Sequence, residues 1–217
     1  MKKNNTWIKV VITIIILEVL VGAVILAYKK LNTNDNKIST DDKIVQELYQ
    51  KIAYYDIESL DVMNSRTMLY YGYKNVGEKT TINCDSVGIT DDTTGYSCVG
   101  DVEFTKRDLI EDEIKDIYGN DVTIETTSFE TDPNHYAFYD PISDGYVLYT
   151  KDEQINVDPV NLKLDKATTD DDGNIILTVN ILDGVFGTVK ETYNFTFTKD
   201  NNNYYLTSKE LVTSKEE

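Results

Sequence analysis

An apolar segment near the amino terminus, over residues 7–28, constrains this chain more than any other feature. Lys9, Thr13 and Glu18 interrupt a nearly continuous run of Ile, Val, Leu and Ala there. A transmembrane helix needs about 20 predominantly apolar residues, so the segment is long enough to cross a bilayer. The apolar cores of cleaved signal peptides are shorter, about 7–15 residues. We therefore predict that residues 1–30 form a cytoplasmic tip and an uncleaved transmembrane signal anchor.

The charge distribution favours a cytoplasmic N-terminus and an extracytoplasmic C-terminal domain. The whole sequence has 38 acidic and 21 basic residues and a net charge of −17. Lys2 and Lys3 precede the predicted span, and long downstream segments translocate largely regardless of acidic charge. A domain this acidic repels the phosphate backbone, so nucleic acid is excluded as a partner. These observations predict a single-pass membrane protein of the bacterial cell envelope.

Downstream of the anchor, the sequence predicts a linker over residues 31–40, a domain over 41–212 and a frayed tail over 213–217. Helical spacing of apolar residues predicts a first helix starting near Ile44, with Ser39 or Thr40 as its N-cap. A second helix is predicted over 62–76, where a strand is the alternative. A third is predicted to start at a capping-box-like pair, Thr105 and Asp108, and to end at Gly119. Its apolar stripe comprises Leu109, Ile110, Ile114, Ile117 and Tyr118.

From Gly119 onwards the apolar period changes to two, which predicts strands. Alternation predicts one strand over 122–127. Turn-forming residues predict three hairpins, with strands at 136–139 and 146–150, at 160–167 and 175–182, and at 189–198 and 204–208. The expected fold class is α+β: an N-terminal transmembrane helix, then about three helices followed by an antiparallel sheet of five to seven strands.

The two cysteines, Cys84 and Cys98, are predicted to form a structural disulfide. An oxidising exterior suits the pair, and a bridge over about 15 residues stabilises by roughly 3 kcal/mol in the chain-entropy account. Two free thiols are the alternative. Redox catalysis usually shows Cys-x-x-Cys spacing, and a structural zinc site needs four nitrogen or sulfur ligands.

Acidic and histidine side chains offer few other sites. Asp170, Asp172 and Asn174 stand at alternate positions around a glycine, which makes them a weak calcium candidate, although the sequence favours a hairpin turn there. His135 is the single histidine and lies in a turn-forming sequence, so no Ser-His-Asp mechanism is predicted. Chance carboxylate pairs leave glycoside hydrolysis open. No phosphate-binding loop or dinucleotide fingerprint is present, so no cofactor is predicted.

Two further features bear on partners. The chain has 16 tyrosines, which suit a recognition surface as well as strand and core packing. Glu18 places a carboxylate near the middle of the predicted span, at an insertion cost of about 2.5–3.5 kcal/mol. It is either tolerated alone or makes an intramembrane contact, through which the transmembrane helices would self-associate.

The segment LEVLVGAVIL, residues 17–26, resembles the start of a type IV pilin or pseudopilin. The resemblance implies a filament subunit in which Glu18 guides assembly and the bond between Thr13 and Ile14 is cleaved. The family has Gly or Ala where Thr13 stands. It also has a polar leader where residues 10–12 of this chain are apolar.

The segment TKRDLIEDEIKDIYGND, residues 105–121, and the Tyr-rich hairpins after it are similar to uncharacterised membrane-anchored proteins of low-GC Gram-positive bacteria. That resemblance implies an envelope location and no known activity. The sequence thus predicts an envelope-anchored binding or interaction module without catalysis, with an envelope protein or a glycan as its partner. A pilin-like structural subunit and a carboxylate-dependent extracytoplasmic hydrolase are the alternatives.

The mature amino terminus separates an uncleaved anchor from a processed pilin. Peptide mapping of the membrane-associated chain is expected to recover residues upstream of Thr13, because no small-residue cleavage site follows the apolar segment. A mature chain that begins at Ile14 would contradict the anchor and establish processing.

Overall fold

The computed structural model describes residues 36–54, 61–88, 93–156, 160–184 and 186–214. The predicted anchor, including the span over 7–28 and Glu18, lies outside these ranges. Within them, no helix is both long enough and apolar enough to cross a membrane.

Three α-helices and eleven strands make up the described ranges. The helices are α1 (Lys43–Ile52), α2 (Ser65–Asn75) and α3 (Arg107–Tyr118). The first seven strands are β1 (Asn36–Ile38), β2 (Thr80–Asn83), β3 (Tyr96–Ser97), β4 (Asp101–Lys106), β5 (Phe129–Asp132), β6 (His135–Asp140) and β7 (Gly145–Lys151). The last four are β8 (Val160–Thr169), β9 (Ile175–Asp183), β10 (Val189–Asp200) and β11 (Asn203–Ser214).

The strands form two antiparallel sheets. Sheet 1 has five strands in the order β1-β8-β9-β10-β11. Sheet 2 has six, in the order β2-β4-β7-β6-β5 with β3 paired to β7. Helix α3 contacts β4 and β7 of sheet 2 and β11 of sheet 1, whereas α1 contacts β9. The helices therefore join the two sheets through one hydrophobic core.

The predicted fold class, three helices followed by one sheet of five to seven strands, is wrong. Strands dominate the described chain, they form two sheets, and β2 to β4 precede α3. β4 pairs with β2 on one side and with β7 on the other, with Phe104 opposite both Thr80 and Val147. A partner about 40 residues away leaves no local signal.

Two other local predictions also fail. Residues 36–38 of the predicted linker form the edge strand β1. Residues 122–127 form no strand, although Val122 and Ile124 pack against the core. In this segment the backbone amide of Glu125 donates to the Ser65 hydroxyl at 3.2 Å. The alternating apolar residues therefore indicate that Val122 and Ile124 are partly buried in an irregular segment, and they do not indicate a paired strand.

All three predicted hairpins are confirmed. β6 pairs with β7, β8 with β9, and β10 with β11. The last hairpin closes tightly, because Asp200 stands opposite Asn203 and Asn201 takes a φ of 53°. Asn is one of the few residues with a side chain that tolerate this left-handed conformation.

The helices occur where predicted, but their caps differ. Asp42 caps α1 by accepting a hydrogen bond from the amide of Ile44, in place of Ser39 or Thr40. Asn64 caps α2 in the same way. Thr105 lies in β4, and Lys106 at the start of α3 makes no side-chain cap, so the predicted capping box is wrong.

The α2–α3 crossing is close because Gly72 lies at the contact. A Cβ at this position would meet Cγ1 of Ile114 at 2.6 Å and the carbonyl oxygen of Ile110 at 2.8 Å. Both isoleucines are fully buried. Only a residue without a side chain permits this approach.

Gly72→Ala is expected to lower the free energy of unfolding by about 1–3 kcal/mol, because the added methyl group must displace α3. Urea unfolding of the detergent-solubilised chain, followed by circular dichroism, measures the loss. Gly77→Ala is the matched control, since a Cβ at Gly77 meets no atom within 4 Å. Equal midpoints for the two variants would show that the crossing is not tight.

Candidate functional site

A cleft opens where α1 and the C-terminal ends of α2 and α3 meet the β10–β11 turn. Its volume is about 730 Å³, within the range of about 300–1,000 Å³ typical of small-ligand sites. Residues of α1 from Ile44 to Lys51 form one wall, and Asn75 at the end of α2 lies beside them. The end of α3, Asn120 and residues 202–205 complete the lining. We call this feature the helix-end cleft.

Two side chains hold the helix ends in place around the helix-end cleft. The Asn75 amide donates to the carbonyl oxygens of Lys51 at 3.0 Å and Tyr71 at 2.8 Å. The Lys51 ammonium donates to the carbonyl oxygen of Asp116 at 2.8 Å and pairs with the Asp116 carboxylate at 2.7 Å. The last carbonyl groups of a helix lack partners within it, so these bonds satisfy α1 and α3 and fix their ends together.

Most of the polar lining consists of side-chain amides. These residues are Gln50, Asn75, Asn120, Asn202 and Asn203. All but Asn75 are exposed to solvent. A side-chain amide can offer two donors and an acceptor to hydroxyl or carbonyl groups. The donors of Asn75 are already engaged by the Lys51 and Tyr71 carbonyl oxygens.

The charges of the helix-end cleft are balanced. Two carboxylates and two lysines line it, and each has an opposite charge beside it. The Lys51–Asp116 pair lies within the lining, whereas Glu47 pairs with Lys43 at 3.3 Å and Lys115 with Asp112 at 3.2 Å. The last two pairs are exposed and contribute little to stability. Their effect here is a locally neutral surface in a chain of net charge −17.

Tyr204 and Tyr205 supply aromatic surface to the helix-end cleft. Tyr204 also packs against the hydrophobic core. Tyr205 lies over Gly119, where a Cβ would be 3.5 Å from two of its ring carbons. Its hydroxyl accepts a hydrogen bond from the Asn203 amide at 3.2 Å. Gly119 has a φ of 90°, a conformation that favours glycine. The same residue therefore ends α3 and contacts the Tyr205 ring.

Asp116 and Glu113 are neighbouring acidic side chains of α3. Asp116 forms an ion pair with Lys51 at 2.7 Å. Burial raises the pKa of the neighbouring Glu113, and the negative charge of Asp116 raises it further. Glu113 is not among the residues that line the helix-end cleft.

The predicted disulfide between Cys84 and Cys98 is present, with the two Cα atoms 5.8 Å apart. The amide of Cys84 donates to the carbonyl oxygen of Gly100 at 2.9 Å, which sets the bridge beside the β2–β4 pairing. Neither cysteine lines the helix-end cleft. The bridge is therefore a structural element of the 84–98 loop.

A buried carboxylate attaches this loop to sheet 2. Asp140 is fully buried and accepts hydrogen bonds from the amides of Gly88 at 3.1 Å, Ile142 at 3.2 Å and Ser143 at 3.1 Å. Three backbone donors satisfy a carboxylate that would otherwise be costly to bury. Sequence reasoning did not single out Asp140, and Asp before Pro in a predicted turn was the available signal.

The calcium candidates form a turn network. Asp170 accepts from the amides of Asp172 at 3.0 Å and Asn174 at 2.9 Å, and from the Asn174 side chain at 2.8 Å. Burial acts to raise the pKa of Asp170, but the hydrogen bonds from Asn174, Asp172 and Gly173 hold it below its usual value. Across the described ranges, no group of three or more His, Cys, Asp or Glu side chains is placed to hold a metal ion.

His135 and the tyrosines are distributed between surface and core. The Nδ1 atom of His135 lies 2.8 Å from a carboxylate oxygen of Asp132, within the β5–β6 turn. Tyr71 and Tyr146 are fully buried in the core. An aromatic cluster on sheet 2 comprises Tyr96, Tyr136, Phe138 and Tyr149. Tyrosine thus both fills the core and lines the helix-end cleft.

Comparison of the chain with protein-family models, with curated proteins and with solved structures finds no match.

Replacing both cysteines, Cys84→Ser with Cys98→Ser, is expected to lower the free energy of unfolding by about 3 kcal/mol, because the unfolded chain regains the entropy of an open loop. Urea unfolding measures the difference, and reduced wild-type protein is the matched control. Thiol titration of exported, unreduced protein in urea should find no reactive thiol. Two reactive thiols there would mean that the bridge does not form.

Proposed function

We propose that this chain is a cell-envelope binding module. Residues 7–28 anchor it in the membrane with the N-terminus in the cytoplasm, and the acidic domain lies outside. The helix-end cleft receives a ligand from the envelope, either a glycan or a segment of another protein. The proposal for the anchor rests on the length of the apolar segment and on the charge distribution of the sequence.

The observation that carries the binding role is the pre-formed helix-end cleft. The Lys51 and Asn75 hydrogen bonds fix its walls before a ligand arrives. A pre-organised site avoids the entropic cost of ordering on binding. Its exposed amides, including Gln50, Asn120 and Asn202, present donors and acceptors on a fixed frame.

Binding is favoured over hydrolysis because both carboxylates that line the helix-end cleft form ion pairs with lysines. Glycoside hydrolysis uses one protonated and one ionised carboxyl group on either side of the scissile bond. In the helix-end cleft, Glu47 and Asp116 both pair with lysines. Both carboxylates of the cleft lining are therefore engaged in ion pairs, which supports a binding role over general acid catalysis.

Replacing two lining amides, Asn120→Ala with Asn202→Ala, is expected to weaken binding about tenfold, because each lost hydrogen bond removes about 0.5–1.5 kcal/mol. Binding is measured by fluorescence anisotropy with the full-length chain in a detergent without a sugar headgroup. The probe is a labelled, soluble digest of the host's cell envelope.

Asn161→Ala is the matched control, because Asn161 is exposed on β8 and does not line the helix-end cleft. It should bind as the wild type does. Equal affinity of the double variant and the wild type would place binding elsewhere. The absence of saturable binding to the wild type would contradict the proposed function itself.

A further inference from the structure

We infer that the helix-end cleft selects an uncharged, hydroxyl-rich ligand, namely a neutral oligosaccharide. This inference rests on the proposed function and names the class of ligand that the site takes. Three independent features of the lining point to it: its charge balance, its amides and the position of Tyr205.

Charge balance disfavours ionic ligands. An anionic ligand would meet Glu47 and Asp116, and a cationic ligand would meet Lys51 and Lys115. Each of these four side chains already has an opposite charge beside it, at 2.7 to 3.3 Å. The lining therefore carries no excess charge of either sign that would attract an ionic ligand. Its charge balance suits a neutral ligand.

The amides match hydroxyl groups. A sugar hydroxyl both donates and accepts, and a side-chain amide offers both functions within one planar group. Gln50 on α1, Asn120 after α3 and Asn202 in the β10–β11 turn present such groups from three separate elements. A ligand with hydroxyls around its perimeter can bond to all three, whereas a hydrocarbon ligand would leave them unpaired.

Tyr205 provides an apolar platform beside these amides. Its ring rests on Gly119 without an intervening side chain, and its hydroxyl is held by Asn203 at 3.2 Å. A ring fixed at both points loses little entropy when a ligand packs against it. The C–H face of a pyranose is apolar and its rim is polar, which matches an aromatic ring surrounded by amides.

The test measures binding of three hexasaccharides to the full-length chain by isothermal titration calorimetry, in a detergent without a sugar headgroup. The probes are neutral N-acetylglucosamine hexamer, its cationic glucosamine counterpart, and anionic galacturonic acid hexamer. The neutral probe should bind at least tenfold more tightly than either charged probe. Equal or tighter binding of a charged probe would overturn the inference.

Variants of Tyr205 test where the neutral probe binds. Tyr205→Ala should weaken binding at least tenfold, and Tyr205→Phe less than threefold, because the phenylalanine keeps the ring and loses only the bond from Asn203. Thermal unfolding confirms that each variant folds. An unchanged affinity of Tyr205→Ala, or an equal loss of affinity in both variants, would show that the ligand does not pack against the Tyr205 ring. Either result would overturn the inference.

Failure of this inference is distinguishable from failure of the proposed function. If none of the hexasaccharides binds but the envelope digest still binds and requires Asn120 and Asn202, the saccharide class is wrong and the binding module stands. If the digest does not bind either, the proposed function is wrong as well.

Discussion

The close crossing of α2 and α3 is the contact on which the rest of the structure depends. Gly72 lets the α2 backbone reach Ile110 and Ile114, and α3 in turn contacts both sheets. The helices and both sheets thereby share one hydrophobic core. The same crossing brings the C-terminal ends of α2 and α3 to the end of α1, where Asn75 and Lys51 satisfy carbonyl groups of neighbouring helices. The α2–α3 crossing at Gly72 therefore determines both the packing of the core and the position of the helix ends that line the helix-end cleft.

Local neutrality is the second organising feature. The chain as a whole is strongly acidic, and a net charge of this sign repels polyanions. The helix-end cleft departs from this average, because its carboxylates and lysines neutralise one another. Under the proposed function, such a site would rely on hydrogen bonding and aromatic contact for selectivity, with a minor part for long-range charge.

An element could be predicted when the residues that interact within it lie close together in the sequence. The β8–β9 and β10–β11 hairpins were predictable because turn residues and alternating strands lie next to each other in sequence. β4 was not, since its pairing with β7 spans an entire helix and a strand pair. The alternation over 122–127 correctly indicated the partial burial of Val122 and Ile124, but Thr126 is exposed and no strand forms. The helix-end cleft was beyond prediction, because its lining runs from Ile44 to Tyr205, and no local pattern marks residues that meet only after folding.

The sequence by itself determined the helices, the three hairpins and the pairing of Cys84 with Cys98, all of which depend on short-range periodicity, turn chemistry or a choice between two cysteines. It also predicts the anchor, through the length of one apolar segment. Only the tertiary structure decided that the strands form two sheets, that Asp140 is buried among backbone donors, and that Tyr205 rests on Gly119 beside the amides. The physical reason is that burial and long-range pairing are properties of the packed chain, in which each residue's environment is supplied by residues far away in sequence.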